Sequence, residues 1–197
     1  MNKYYIINKP YGMLSQFTRE VPAHRVLGDL TNFPKDVYPV GRLDRDSEGL
    51  LILTNDRRMN EALLHPSRKH GRTYRAQVEG SPTEDQLAAL RAGVTIHAKG
   101  KTHRCAPVAA RLLATEDTED IPPRDPPVRF RKSVPDAWLE LTLTEGKNRQ
   151  VRKMCAAVGL PVLRLIRVGI EDLRLSDLDG ERVRSVSKEW LLPRIGL

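Results

Sequence analysis

Trp138-Leu-Glu-Leu-Thr-Leu-Thr144 places Leu139, Leu141 and Leu143 on one face of an extended chain and Glu140, Thr142 and Thr144 on the other. That period of two belongs to a half-buried antiparallel strand. Residues 4–8, 50–54, 73–79 and 162–168 are further short runs rich in β-branched, aromatic and leucine residues, bounded by Gly, Pro or Asn, and are expected to be strands. Helix signals are fewer. Thr83-Glu-Asp-Gln86 is a capping box opening a helix that Gly93 closes; residues 150–158 precede Gly159 and Pro161; a third helix is expected over 56–64, stopped by Pro66. Strands outnumber helices and do not alternate with them regularly, so the fold class expected is α+β.

At 197 residues the chain is expected to be one unit with a shared core. A hydrophobic fraction of 40% against 29% charged residues supports a packed core and excludes a membrane protein, since no run reaches the roughly 20 apolar residues of a bilayer span. The opening MNKYYIINKP lacks the pattern of a signal peptide, so a cytoplasmic protein is expected. Cys105 and Cys155 are the two cysteines and are expected to be buried free thiols. With no C-x-x-C or H-E-x-x-H spacing, no metal site is expected. A net charge of +8 makes nucleic acid the first partner to consider, because cations meeting phosphate release counterions.

Residues 115–136 hold five of the fourteen prolines and open on Glu116, Asp117, Glu119 and Asp120, which predicts a solvated loop. Arg129, Arg131 and Lys132 within it are possible phosphate contacts. His97 and His103, flanking Lys99 and Lys101, are expected in a basic turn without chemistry. No apolar surface signal points to an oligomer, so a monomer is expected.

Three segments carry candidate chemistry. In Gly41-Arg-Leu-Asp-Arg-Asp-Ser-Glu-Gly-Leu-Leu51, Asp44 lies between Arg42 and Arg45. A nearby guanidinium favours the ionised carboxylate and makes it a candidate nucleophile; turn residues with surface ion pairs are the other reading. In Glu145-Gly-Lys-Asn-Arg-Gln-Val-Arg-Lys-Met154, a helix beginning near Asn148 would gather Arg149, Arg152 and Lys153 on one face, with Val151, Met154, Ala157 and Val158 packed inward. Cations in a first helical turn oppose the macrodipole, which suggests an anionic partner. Between these, residues 65–75 add four cationic residues, Arg72 among them, and set Tyr74 at the mouth of a strand, where it either stacks on an extruded base or simply packs.

Taken together, the motifs resemble the RsuA-type branch of the pseudouridine synthase superfamily. The resemblance rests on Asn8-Lys-Pro-Tyr-Gly12, Gly41-Arg-Leu-Asp44 with Glu48-Gly-Leu-Leu51, Arg72-Thr-Tyr74, Gln150-Val-Arg-Lys-Met154 and Leu165-Ile-Arg-Val-Gly169, five motifs in order over nearly the whole chain. Ser47 stands where many relatives have Thr. Many members carry an S4-type RNA-binding module before the first motif. Here seven residues precede it, and with the wording of residues 145–150 this is most similar to compact E-type members acting on large-subunit (23S) ribosomal RNA.

The resemblance implies a long, mainly antiparallel sheet forming two α+β lobes with a central RNA-binding cleft, as one catalytic domain over residues 1–197. It implies isomerisation of a uridine to pseudouridine in ribosomal RNA with no cofactor, consistent with a sequence lacking dinucleotide and phosphate-binding loops. Asp44 would start the reaction at the sugar or at the base. Arg152 would hold it ionised, and Tyr74 would stack on the flipped uracil and could relay a proton from C5. Arg42, Arg72, Lys147, Arg149 and Lys153 would contact RNA. The rival reading is a non-catalytic ribosomal RNA-binding or assembly factor. A retaining glycosidase would need a second carboxyl group with an acid role, and none is identifiable.

Overall fold

The computed structural model describes residues 1–98, 100–129, 131 and 133–197. The possible phosphate contact of Lys132, and Lys99 of the basic turn, lie outside the described residues. In chain order the elements are β1 (Tyr4–Lys9), β2 (Tyr38–Pro39), β3 (Glu48–Thr54), α1 (Arg57–Leu64), β4 (Arg72–Glu79), α2 (Glu84–Arg91), β5 (Thr95–Ala98) and β6 (Lys101–Arg104). There follow β7 (Ala109–Leu112), β8 (Asp136–Leu143), α3 (Gln150–Ala157), β9 (Val162–Ile170), β10 (Leu173–Arg174), β11 (Val183–Val186) and α4 (Lys188–Arg194). Strands and helices do not alternate, as an α+β class requires.

The chain divides into two compact units, one made of Met1–Arg72 with Ile166–Leu197 and the other of Thr73–Leu165. In the first, β1 pairs antiparallel with both β11 and β3, β2 and β10 add short antiparallel pairs, and β3 meets β9 in parallel at Glu48↔Ile166 and Gly49↔Arg167. The sheet is therefore mixed. Every residue of β3 is buried, which is why EGLLILT reads as a continuous apolar run rather than an alternating one. Helix α1 packs Met59 and Leu63 onto Ile6, Leu50 and Ile52, joined by Leu178, Leu191 and Ile195. Its start is fixed by Asp56, whose carboxylate accepts the Met59 N–H and also the Tyr4 hydroxyl at 2.7 Å.

In the second unit the strand order is β4-β8-β7, with β5 and β6 forming a separate hairpin. Leu139, Leu141 and Leu143 of β8 are 0%, 0% and 2% exposed while Glu140 and Thr142 are half-buried, the alternation expected of this strand. Burying each leucine contributes about 1.5–3 kcal/mol. They pack with Ala76 and Val78 of β4, Leu87 and Leu90 of α2, and Met154 and Cys155 of α3. The capping box is present: Thr83 Oγ accepts the Gln86 N–H and Gln86 Oε1 accepts the Thr83 N–H. Gly93 then takes a φ of +78°, the left-handed conformation that ends such helices.

Two expectations are corrected. The basic turn around His97 and His103 is a two-stranded hairpin, with His97 in β5 and His103 in β6. Helix α3 begins at Gln150, as the expectation over 150–158 had it, and not near Asn148, because Arg149 adopts a left-handed φ of +52° and stands outside it. The inward face also differs from the expected one. Ala157 is exposed, and Gln150 and Cys155 are buried with Val151 and Met154. The expectation of a loop over 115–136 holds for residues 115–129, which are irregular apart from one short 3₁₀ turn, Glu116–Thr118, and are tied down by Arg75 to Asp120 and by Arg164 to the Pro122 carbonyl.

Candidate active site

Asp44 occupies the connection between β2 and β3, and its position is set by the turn that follows β1. Ser15 Oγ donates to the Leu43 carbonyl at 2.8 Å and accepts the Leu43 N–H at 3.0 Å, a reciprocal clamp on the residue before Asp44. One residue after it, the Arg45 carbonyl accepts the Gly12 N–H at 2.8 Å while Arg45 Nε donates to the Gly12 carbonyl. The Asp44 carbonyl accepts the Ser47 N–H, closing a turn. The first two motifs are thus one structural device: Asn8-Lys-Pro-Tyr-Gly12 is the brace of Gly41-Arg-Leu-Asp44. Asp44 is half-buried between buried Leu43 and exposed Arg45, and Arg42 is exposed, with its guanidinium on Gln16 Oε1.

Lys9 was given no role by sequence reasoning. Its ammonium is fully buried and donates to the carbonyls of Pro10 and Met13 at 3.0 and 2.7 Å. Burial pulls its pKa down to about 8, against the opposing pull of Glu48, Asp46 and Asp44. A lysine ammonium therefore lies within the electrostatic reach of the Asp44 loop. Nothing local in the sequence marks it: its burial comes from the strand it ends, and the charges that act on it lie beyond residue 43.

The close approach of β3 to β9 needs Gly49. Its φ is +105°, and a Cβ there would lie 2.3 Å from the Arg167 carbonyl oxygen. Arg167, itself buried, donates from Nε to the Leu50 carbonyl at 2.8 Å. The Glu48-Gly-Leu-Leu and Leu-Ile-Arg-Val-Gly motifs are thereby two sides of one strand contact.

Arg72 ends the first unit, its guanidinium donating to the carbonyls of His70 and Leu63. The remaining candidates belong to the second unit. Tyr74 is partly buried on β4 against that unit's core. Lys147 and Arg149 are exposed on the approach to α3, and Arg152 and Lys153 are half-buried on its first turns. Arg152 Nη1 donates to the Val162 carbonyl and Lys153 Nζ to Asn148 Oδ1.

The approach to α3 is organised by two residues that sequence reasoning quoted without assigning. Glu145 Oε1 accepts the Ala106 N–H at 2.9 Å and the Gln150 amide at 2.6 Å, and its Oε2 lies 3.1 Å from His103 Nε2. Burial pushes the Glu145 carboxyl up, but the bonds from Ala106, Gln150 and His103 outweigh it and hold the pKa below the ordinary value. His103, Cys105 and Glu145 bring one donor atom each within 4.8 Å of one another, donor types that can hold zinc. Burial and the Glu145 charge raise the Cys105 thiol, so in this arrangement it is a protonated neighbour of a hydrogen-bonded carboxylate.

The structure therefore gathers Asp44 and Arg42, with Lys9 beside the Asp44 loop, in the first unit, and Tyr74, Lys147, Arg149, Arg152 and Lys153 in the second. The chain belongs to the RNA pseudouridylate synthase family, whose model matches residues 3–157. It is 53% identical over 174 residues, 88% of each chain, to ribosomal large subunit pseudouridine synthase E of Xanthomonas axonopodis pv. citri. Its identity to the E synthase of Vibrio parahaemolyticus is 46%, covering 89% of this chain and 70% of that one. To ribosomal large subunit pseudouridine synthase B of Bacillus subtilis it is 35%, covering 93% and 68%. A crystal structure of a pseudouridylate synthase superposes with a TM-score of 0.73 at 24% identity, covering 96% of this chain and 72% of that one, a likeness of fold. No helix among the described residues is long and apolar enough to cross a membrane.

Proposed function

We propose that the chain isomerises a specific uridine of large-subunit ribosomal RNA to pseudouridine, acting as a cytoplasmic monomer without a cofactor. Family membership and the names of the relatives support the reaction and the RNA class. The observation that carries the site is the Asp44 loop, clamped on one side by Ser15 and on the other by the turn at Gly12. Such fixing belongs to a carboxylate whose position matters, since a solvated turn needs no clamp.

In the reaction the C1′–N1 bond breaks, the base turns, and a C1′–C5 bond forms while the C5 proton leaves and N1 takes one up. Asp44 starts this as an ionised carboxylate, with Arg152 as its cationic counterpart. Tyr74 stacks on the extruded uracil. Arg42, Lys147, Arg149 and Lys153 contact the RNA backbone, as does Arg72 with a guanidinium oriented by two carbonyls.

Tritium release from ribosomal RNA labelled at uracil C5 tests the proposal. Wild-type protein is expected to release tritium, and Asp44→Asn to bind the same RNA without release. Binding without release by the wild type on every large-subunit transcript would refute the enzyme and favour a non-catalytic assembly factor.

A further inference from the structure

We propose that Glu145 and Gln150 form a latch that positions the cationic entry to α3 for turnover. The inference rests on the reading that Arg149 contacts the RNA and Arg152 is the counterpart of Asp44. Gln150 is 4% exposed and bridges backward over its own approach segment. Its amide N–H donates to Glu145 Oε1 at 2.6 Å, and its Oε1 accepts the Lys147 N–H at 2.8 Å. The Gln150 N–H returns to the Lys147 carbonyl at 3.1 Å. One side chain thus grips the segment at two points, 145 and 147, with Arg149 held between that grip and the helix.

The grip has a conformational consequence. Arg149 adopts a left-handed φ of +52°, a conformation strained for a residue with a Cβ that persists only where the surroundings enforce it. Arg149 makes no side-chain cap for the helix; the Gln150 bridge instead satisfies the Lys147 N–H in the segment ahead of α3. Glu145 in turn is tied to the β6 side by the Ala106 N–H and His103. It stays ionised inside a segment that is otherwise cationic. A surface acid there would repel phosphate; this one faces inward and is consumed by three donors.

Glu145 and Gln150 are accordingly positioning residues. Their removal should lower kcat while leaving the RNA KM nearly unchanged, because the phosphate-contacting side chains remain but their geometry loosens. Glu145→Gln keeps an oxygen to accept from Ala106 and Gln150 and should conserve function. Gln150→Glu sets a carboxylate against the Glu145 oxygen, and the pair can recover the bond only by sharing a proton, as close carboxyls do.

The test measures kcat and KM for tritium release, with melting midpoints, for Glu145→Ala, Gln150→Ala, Glu145→Gln and Gln150→Glu. Expected are losses of about tenfold in kcat for the two alanine variants, with KM within about twofold, and retention to within about threefold for Glu145→Gln. The kcat of Gln150→Glu relative to wild type should rise several-fold between pH 8 and pH 6. If the alanine variants do not fold, the other two still decide. Alanine variants with wild-type kcat, Glu145→Gln as slow as Glu145→Ala, or a flat pH ratio for Gln150→Glu would each overturn the latch. Unaltered turnover in both Asp44→Asn and Arg152→Ala would instead overturn the site reading, so the two failures are distinguishable.

Discussion

Replacing Gly49 by alanine should damage the protein far more than the same change at Gly12, although both glycines have positive φ. Gly12, at +78°, has open space where a Cβ would go. Its alanine variant should cost only the left-handed penalty, about 1–2 kcal/mol. Gly49, at +105°, would place its Cβ 2.3 Å from the Arg167 oxygen, 2.8 Å from its nitrogen and 3.0 Å from its carbonyl carbon. All three are backbone atoms of the paired strand and cannot rotate aside. The β3–β9 contact must open, losing ladder hydrogen bonds at about 1 kcal/mol each and loosening the Arg167 bond to Leu50, on top of a strained φ at about 1–3 kcal/mol. The sum is about 3–5 kcal/mol. For a chain of this size each kcal/mol lowers the melting midpoint by roughly 2–4 °C, so a drop of about 10 °C or more is expected. Circular-dichroism melts of Gly12→Ala and Gly49→Ala under identical conditions provide the comparison. A Gly49→Ala midpoint equal to that of Gly12→Ala would refute the claim that β3 and β9 touch too closely for a side chain.

Arg152→Ala should lower kcat for tritium release by about a hundredfold while changing RNA affinity little, and equal losses in both would reduce Arg152 to a phosphate contact. Asp56→Ala should cost about 2–3 kcal/mol in urea unfolding, from a lost N-cap and an orphaned Tyr4 hydroxyl. Burial raises the Asp56 carboxyl, but the bonds from Tyr4, Met59 and Asn2 outweigh it and hold the pKa below 3.8. Its stabilisation is therefore complete above that value and fades as pH falls through the depressed one, so wild type and variant should converge in acid; a gap unchanged at pH 2 would contradict this. Lys9 has the opposite charge and a depressed pKa of about 8 against 10.5 unfolded, so the unfolded state holds its proton more tightly between those values. Wild type should therefore gain about 2 kcal/mol relative to Lys9→Met between pH 7 and pH 9.5, and parallel pH profiles would show that the ammonium is not desolvated.

What could be read from the sequence is what depends on neighbours along the chain. The alternation of Leu139, Leu141 and Leu143, the Thr83 capping box and the Pro66 stop are local, and each element stands where its signal placed it. Elements without a local period were missed. Strand β7 has a single buried residue in Ala-Ala-Arg-Leu, and α4 has seven residues with Pro193 among them, too short and too interrupted for a helical pattern. A start of α3 near Asn148 fails because Arg149 takes a conformation its residue type rarely adopts, enforced by a side chain that follows it. Within the site, Asp44 stood out by its charge pattern. Lys9, Ser15 and Glu145 did not, because what distinguishes them is a partner distant in sequence: the carboxylates beyond residue 43, the Leu43 backbone, and Ala106 with His103.

The division of the chain also sets an order of assembly. Thr73–Leu165 is continuous, whereas the unit bearing Asp44 needs Ile166–Leu197 to be complete. Strand β1 finds one neighbour, β3, early, but its other neighbour is β11, with Tyr4 opposite Val186. During synthesis the later-encoded middle can therefore fold while the sheet that carries the Asp44 loop still lacks an outer strand. Chain closure over so long a separation is slow in proportion to the entropy lost. The clamp of Ser15 and Gly12 on the Asp44 loop is local in sequence, but the sheet that carries it is complete only when β11 has added to β1.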